Sequence, residues 1–241
     1  MARTVDPAAY AVRRGEILDA AQRLLIAKGY AQMSIQDVLG DLGISRGALY
    51  HYFGSKQALL AGVVERTAET IRAQLEPETH AEGRDPLAKL GRMFAALAGW
   101  KTGHRTGLVA LLEVWQSDHN ALLRQRTRAI TTERLAPLFG QVIEQGVGEG
   151  VFTVPVPGNF GRVLVDLIHD LNGRLAELFL ASEPVNSESA QITLDTIDRT
   201  VTSYTAAIER MLGVPSGAIT LVEPSILHAW FDPNSDKKDS I

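Results

Sequence analysis

Apolar side chains recur every three or four residues through most of this chain, a spacing typical of amphipathic helices rather than strands. The pattern predicts an all-α protein. Helices are predicted over about 7–28, 34–42, 46–53, 55–74, 120–146, 159–181 and 187–212, and two more begin at Pro86 and contain Leu108–Trp115. The spacing breaks at 76–86, 100–105 and 145–157, which are predicted connectors, and Pro137 is expected to kink or split its helix.

The segment 34–56 predicts two short helices joined by a tight turn. Ser34 and Asp37 have the spacing of a capping box, and Gly43 suits a helix end that turns through a left-handed residue. Ser45 can cap the second helix. Two helices this short cannot bury a core alone, and two helices with a short glycine turn predict a helix-turn-helix, whose second helix enters the DNA major groove.

The second helix carries residues suited to that use. Leu49 and Phe53 are four residues apart and are expected to face inward. The outer side is small or able to hydrogen-bond to base edges: Arg46, Gly47, Ala48, Tyr50 and His51. Lys56 opens a further helix, whose free N–H groups make a site for a backbone phosphate.

The run Gly43–Leu59 resembles the DNA-binding domain of the tetracycline-repressor (TetR) family of bacterial regulators, and the resemblance covers about residues 12–60. It implies DNA contacts from residues on both motif helices and a phosphate contact from Lys56. The implied DNA contacts are Gln36, Arg46, Ala48, Tyr50, His51 and Tyr52. The sequence departs from the family at Leu39, where alanine is usual, and at Gly40, which costs about 1 kcal/mol relative to alanine inside a helix.

The resemblance also implies a domain organisation and a partner. We expect a helix-turn-helix domain over 1–54, a helical ligand-binding and dimerisation domain over 55–230, and a flexible tail over 231–241. The last two long helices are expected to form the interface of a homodimer. An apolar seam on the second of them favours this, with packing inside one chain as the alternative: Leu194, Ile197, Val201, Tyr204, Ile208 and Met211.

Large apolar side chains of the body are either plain core or the wall of a small-molecule site, which the family usually encloses among its central helices. Few charges fall on these faces, so we expect an apolar or aromatic effector. The predicted apolar contacts are Phe94, Trp100, Leu108, Leu112 and Trp115, and the predicted polar contacts are Glu113, Asp166 and His169.

Charge is distributed unevenly along the chain. The net charge is −4, but residues 1–60 carry +2 and residues 61–241 carry −6, so the positive end coincides with the DNA-reading motif. There is no cysteine, which excludes disulfides and thiolate zinc sites. The absence of a long apolar run or signal-peptide pattern predicts a cytoplasmic protein with no membrane segment.

The sequence gives little sign of catalysis or of a cofactor. Asp166, His169 and Asp170 share one helix, but no nucleophile elbow, phosphate loop or metal-binding histidine pair accompanies them. We therefore expect a regulator and not an enzyme: a dimeric repressor on a near-palindromic operator, released by a small, mostly apolar effector. The alternatives are an enzyme using those three residues, and a helical ligand-binding protein whose motif no longer reads DNA.

Overall fold

The computed structural model describes residues 6–116, 121–181 and 187–231. Within these ranges the chain forms ten α-helices and no strand, which confirms the predicted all-α fold. The helices are α1 Pro7–Gln32, α2 Ile35–Leu42, α3 Arg46–Tyr50, α4 Lys56–Thr79, α5 Pro86–Gly103, α6 Arg105–Gln116, α7 Ala121–Gly148, α8 Pro157–Ala181, α9 Ser187–Leu212 and α10 Pro224–Phe231. No helix of the described part is both long and apolar enough to cross a membrane.

The chain divides into two compact units, and it passes between them three times: within α4, at the start of α6 and within α7. The first unit is Met1–Thr67 with Thr106–Ile130, and the second is Ala68–Arg105 with Thr131–Ile241. The predicted domain boundary between residues 54 and 55 stays a prediction.

The core of the first unit is formed by the buried faces of the first four helices. Ile17, Val38, Leu49 and Leu59 are fully buried in one cluster. Each comes from a different helix, so α3, which has only five residues, is held by its neighbours rather than by its own helical propensity. As predicted, α1 loses its helical backbone at Gly29, which has φ 72° and ψ 164°.

The core of the second unit lies between α5, α7 and α8. The Phe94 ring of α5 stacks on the Phe139 ring of α7 with centroids 5.8 Å apart. The helix α8 approaches the backbone of α7 closely: a Cβ at Gly161 would lie 2.3 Å from the Ala136 carbonyl oxygen and 2.5 Å from the Gly140 nitrogen. Only glycine allows α7 and α8 to approach this closely.

Two prolines predicted to break helices lie inside them. The connector predicted over 76–86 is shorter in the structure, because α4 continues through Pro77 to Thr79 and α5 begins at Pro86. Pro77 leaves only one carbonyl of the preceding turn without its N–H donor, and the Thr79 hydroxyl donates to the Glu76 carbonyl at 2.7 Å. Likewise Pro137 does not split α7, which runs from Ala121 to Gly148.

The predicted loop over 100–105 is also wrong. The helix α5 continues to Gly103, and only His104, whose N–H donates to the Lys101 carbonyl at 3.1 Å, separates it from α6. The opposite error occurs at α3, which ends at Tyr50 instead of Phe53. The extension of α5 places Lys101 in the last turn of a helix.

The segment after α9 folds back onto the rest of the second unit. Ile219 and Leu221 are buried in the core of that unit, and α10 packs against α5 and α9. Arg105 donates to the Trp230 carbonyl at 3.1 Å. The predicted flexible tail lies outside the described residues, except for Phe231, whose ring meets that of Phe179 at 5.6 Å.

Candidate nucleic-acid interface

The turn between α2 and α3 has the geometry predicted for a helix-turn-helix. The Ser34 hydroxyl accepts the Asp37 N–H at 3.1 Å, and the Asp37 carboxylate accepts the Ser34 N–H at 2.7 Å, so the capping box is complete. Gly43 ends α2 in the left-handed region with φ 62°. These contacts fix where α2 begins and where the chain turns into α3.

The helix α3 is buried on one side and exposed on the other. Its N-cap is Ser45, whose hydroxyl accepts the Ala48 N–H at 3.2 Å. Leu49 is fully buried and Phe53, just beyond the helix, is nearly so. The side chains predicted to read bases are exposed: Arg46, Ala48, Tyr50 and His51.

Arg46 and Tyr50 form a pair on the exposed side of α3. The guanidinium carbon lies 5.5 Å from the centre of the tyrosine ring, and Nη2 lies 3.5 Å from the phenol oxygen. Arg46 forms no salt bridge with any described carboxylate. Its charge is therefore held over an aromatic face and remains available to an anion or to a guanine edge.

An aromatic group links the start of α1 to the end of α3. The Tyr10 ring lies 4.6 Å from the Tyr52 ring and 5.8 Å from the His51 imidazole, centre to centre. His51 is exposed, whereas Tyr52 is half-buried and packs against the core of the first unit. This packing limits how far the Tyr52 side chain extends from the surface.

The two remaining predicted contacts, Gln36 and Lys56, have different environments. Gln36 is exposed on α2. Lys56 is half-buried, and its ammonium donates to the Tyr30 carbonyl at 2.5 Å and lies 4.1 Å from the centre of the Tyr30 ring. Burial lowers the pKa of Lys56, although Asp37 opposes that shift. A phosphate contact from Lys56 stays a prediction.

The residues predicted to contact an effector do not all fall in one unit. Phe94, Trp100, Asp166 and His169 lie in the second unit, and Leu108 and Leu112 lie half-buried in the first. Phe94 is part of the close-packed core. The side chains of Glu113 and Trp115 lie outside the described residues.

In the second unit, the His169 side chain is fixed by another helix. Its Nε2 lies 2.8 Å from the Thr131 hydroxyl of α7, and Asp166 is half-buried one turn earlier on α8. The part of the chain that the structure describes contains no group of three histidine, cysteine or acidic side chains placed to hold a metal ion.

Lys101 is a polar residue of this region that sequence reasoning missed. It lies in the last turn of α5 and donates to the Asn172 side-chain oxygen of α8 at 2.6 Å. Burial lowers the pKa of Lys101 to about 8. The predicted loop concealed it, although its spacing of four from Leu97 and seven from Phe94 is that of one helix face.

Comparison with known proteins agrees with this geometry. Residues 17–63 match the family of bacterial regulatory proteins called the tetR family. The chain is 29% identical over 138 residues to the fatty acid metabolism regulator protein of Bacillus subtilis, covering 56% of this chain and 68% of that protein. It is 27% identical over 140 residues to the HTH-type transcriptional regulator YerO of the same organism, covering 58% of this chain.

The match spans only about half the length of YerO, 48%. Among solved structures, FadR of Thermus thermophilus, a TetR-family repressor in complex with lauroyl-CoA, has a TM-score of 0.58 at 20% identity. The match covers 86% of this chain and all of that one. The likeness in fold therefore extends well beyond the N-terminal helices α1–α4 that contain the helix-turn-helix, which we call the reading head.

Proposed function

Because this chain belongs to the tetR family of bacterial regulatory proteins, we propose that it is a homodimeric repressor that binds operator DNA and releases it when a small effector binds. The observation that carries the proposal is the exposed side of α3. There Arg46, Ala48, Tyr50 and His51 project from a five-residue helix whose other side is locked into a core. A short helix held this way is suited to entering a major groove.

Base reading is assigned to the Arg46–Tyr50 pair. A guanidinium can donate two hydrogen bonds to a guanine edge, and its position over the tyrosine ring restricts its rotamers before DNA arrives. Gln36 and His51 are the neighbouring hydrogen-bonding groups on the exposed surface. The Ser55 hydroxyl accepts the Ala58 N–H at the start of α4. The other N–H groups of that turn are placed in sequence to meet a backbone phosphate.

A single reading helix covers too few base pairs to select an operator, so the proposal includes a dimer. Two copies of α3 must sit about one DNA turn apart, ~34–36 Å, to enter successive major grooves. Two-fold symmetry of the dimer then requires a near-palindromic operator. Net positive charge in the first 60 residues and net negative charge in the rest favour contact through the reading head alone.

The dimer interface is assigned to the outer faces of α8 and α9. These helices pack against each other, and the Tyr204 hydroxyl donates to the Asp170 carboxylate. Val163 lies seven residues before Asp170 on α8, and Met211 lies seven residues after Tyr204 on α9. Both are exposed apolar side chains, and they lie at about the same height along the two helices. Leu180 and Ile192 are exposed apolar side chains toward the other end of the same two helices, so apolar surface is left at both ends of the α8–α9 pair.

The seam predicted on α9 contributes mainly inside the chain. Ile197 and Ile208 are fully buried, and Val201 and Tyr204 pack against the core of the second unit. The proposed interface therefore uses Met211 from that seam together with exposed positions outside it.

Release by an effector follows from a difference in affinity between two conformations. An effector that binds the second unit better in a conformation with the wrong spacing of α3 helices lowers operator affinity, and operator DNA lowers effector affinity by the same factor. Phe94, Trp100, Asp166 and His169 are the second-unit residues assigned to the effector. The lauroyl-CoA bound to Thermus thermophilus FadR supports an effector with a large apolar part.

The experiment that tests this function is selection of duplexes from a random DNA pool by the purified protein. The expected product is a near-palindrome that small metabolites from a cell extract release. A pool without any enriched sequence would support a helical ligand-binding protein that no longer reads DNA.

A further inference from the structure

The last turn of α5 brings polar donors to one level of the second unit. Two contacts set the register of α5 against α7: Lys89 Nζ donates to Gln145 Oε1 at 2.9 Å, and Phe94 stacks on Phe139. These two contacts show that α5 and α7 run antiparallel. Seven residues beyond Phe94 is Lys101, and seven residues before Phe139 is Thr132, so these two lie at one level.

The helix α8 adds polar groups at the same level. Asn172 accepts from Lys101 at 2.6 Å, and His169 pairs with Thr131, the neighbour of Thr132, at 2.8 Å. Three helices of the second unit therefore converge on one polar layer beyond the stacked phenylalanines.

Two donors on α5 and α7 near this level are buried without a described acceptor. Thr132 is 3% exposed, and its hydroxyl has no hydrogen-bond partner in the described part of the chain. The Trp100 indole N–H, one residue before Lys101, is likewise shut off from solvent with no described partner. Leaving a buried polar group unsatisfied costs about 1–3 kcal/mol, so such groups call for an explanation.

Lys101 also has more donors than the fold satisfies. An ammonium has three N–H donors, and the acceptor that the described residues supply is one neutral amide oxygen. Burial lowers the pKa of Lys101 to about 8, so the ammonium is mostly charged at neutral pH, and no described carboxylate acts as its counter-ion. By comparison, Lys89 lies three turns earlier on α5 and is more deeply buried. Its ammonium donates to the Thr79 carbonyl at 3.0 Å and to Gln145 Oε1, so two of its three N–H donors are satisfied.

We propose that Lys101, Asn172, Thr132 and Trp100 bind an anionic oxygen of the effector, which is therefore an apolar molecule bearing one carboxylate or phenolate group. This inference rests on the proposed function and deepens it. The missing partner of two orphaned donors and a lysine is an acceptor with negative charge. Leu97 and Leu171, buried on the adjoining turns, supply apolar surface for the rest of such a molecule.

The test is calorimetric titration of the DNA-free protein with matched probes. The acids are hexanoate, decanoate and benzoate, each paired with its methyl ester, and 4-nitrophenol is paired with 4-nitroanisole. We expect at least one anion to bind about tenfold or more tightly than its neutral partner, the equivalent of one charge-assisted hydrogen bond. The acid arms and the phenol arm distinguish the two sources of the anionic oxygen.

Three variants identify the site. Lys101→Gln should abolish the preference for the anion, and Lys101→Arg should retain it. Thr132→Val should weaken anion binding while raising the melting temperature of the free protein, because it removes an unsatisfied hydroxyl. A purely structural role for Thr132 would not move the two quantities in opposite directions.

The proposal is overturned if no anion binds better than its neutral partner, or if the preference survives in Lys101→Gln. If Lys101→Gln fails to fold, the Thr132→Val comparison decides by the same criterion. Operator binding without ligand is measured separately. Failure of the wild-type protein to bind any DNA would refute the repressor function and leave the ligand titration interpretable.

Discussion

The Lys56 ammonium donates a hydrogen bond of 2.5 Å to the Tyr30 carbonyl and lies 4.1 Å from the centre of the Tyr30 ring. This contact ties the first residue of α4 to the end of α1. Lys56 is therefore part of the packing of the reading head, whatever it does on DNA. Its two possible roles are separable because one acts without DNA and the other depends on salt.

Lys56→Ala should lower the free energy of unfolding by about 1 kcal/mol, since it removes one charge-assisted hydrogen bond at a half-exposed site. If Lys56 also neutralises a phosphate, the logarithmic salt dependence of operator affinity should flatten by about one counter-ion per subunit. Urea unfolding and titrations at several salt concentrations measure the two effects. Lys28→Ala, which removes an exposed lysine paired with Asp37, is the control; an unchanged slope in Lys56→Ala would take Lys56 out of the phosphate contacts.

Gly40→Ala should stabilise the protein by about 1 kcal/mol, because Gly40 lies inside α2 and a Cβ there meets nothing within 4 Å. Gly43→Ala should destabilise it by about 1 kcal/mol, because Gly43 has φ 62° although its surroundings are equally open. Comparing the two variants separates the effect of backbone conformation on stability from the effect of the space around the added methyl group. Chemical denaturation measures both, and equal shifts in the two variants would contradict this account.

Acid should weaken the start of α2. Hydrogen bonds from Lys28, and then from the Ser34 side chain and backbone, lower the pKa of Asp37 from 3.8 to about 2. A carboxyl with a lowered folded-state pKa contributes stability above its unfolded pKa and loses it as pH falls through the folded value. The difference in unfolding free energy between wild type and Asp37→Asn should therefore shrink between pH 3.8 and about 2; a difference independent of pH would refute the assignment.

Val163→Glu combined with Met211→Glu should convert the dimer to monomers with little change in the stability of each chain. Both side chains are exposed in the single chain, so charge there opposes association rather than folding. Val156→Glu, a more exposed position just before α8, is the matched control and should remain dimeric. Light scattering reports the mass; a double variant that stays dimeric would place the interface elsewhere.

Local signals in the sequence predicted the reading head well. The Ser34–Asp37 capping box and the turn at Gly43 involve residues at most a few positions apart, so their geometry is nearly independent of the rest of the chain. The exposed side of α3 follows once Leu49 is assigned to the core. The Lys56–Tyr30 contact spans 26 residues and has no local signature.

The body was predicted less accurately because its errors arose where packing overrides local preference. The helix was expected to end before Pro77, and Pro137 was expected to kink or split its helix, but both prolines lie inside continuous helices. The polar run around Lys101 read as a loop, although Asn172 on α8 gives that lysine a partner 71 residues away. The effector predicted from that reading was mostly apolar, with Glu113, Asp166 and His169 as its polar contacts, and the site proposed around Lys101 adds an anionic group to it.

The most direct test of the central claim, that the exposed side of α3 reads base sequence, is an equilibrium titration at fixed salt. Wild type and Tyr50→Ala are each titrated with the selected operator and with a scrambled duplex of the same composition. The account predicts that Tyr50→Ala remains folded, loses at least about tenfold in affinity for the operator and binds the scrambled duplex as wild type does. Equal operator affinity in the two proteins, or an equal loss on both duplexes, would contradict it.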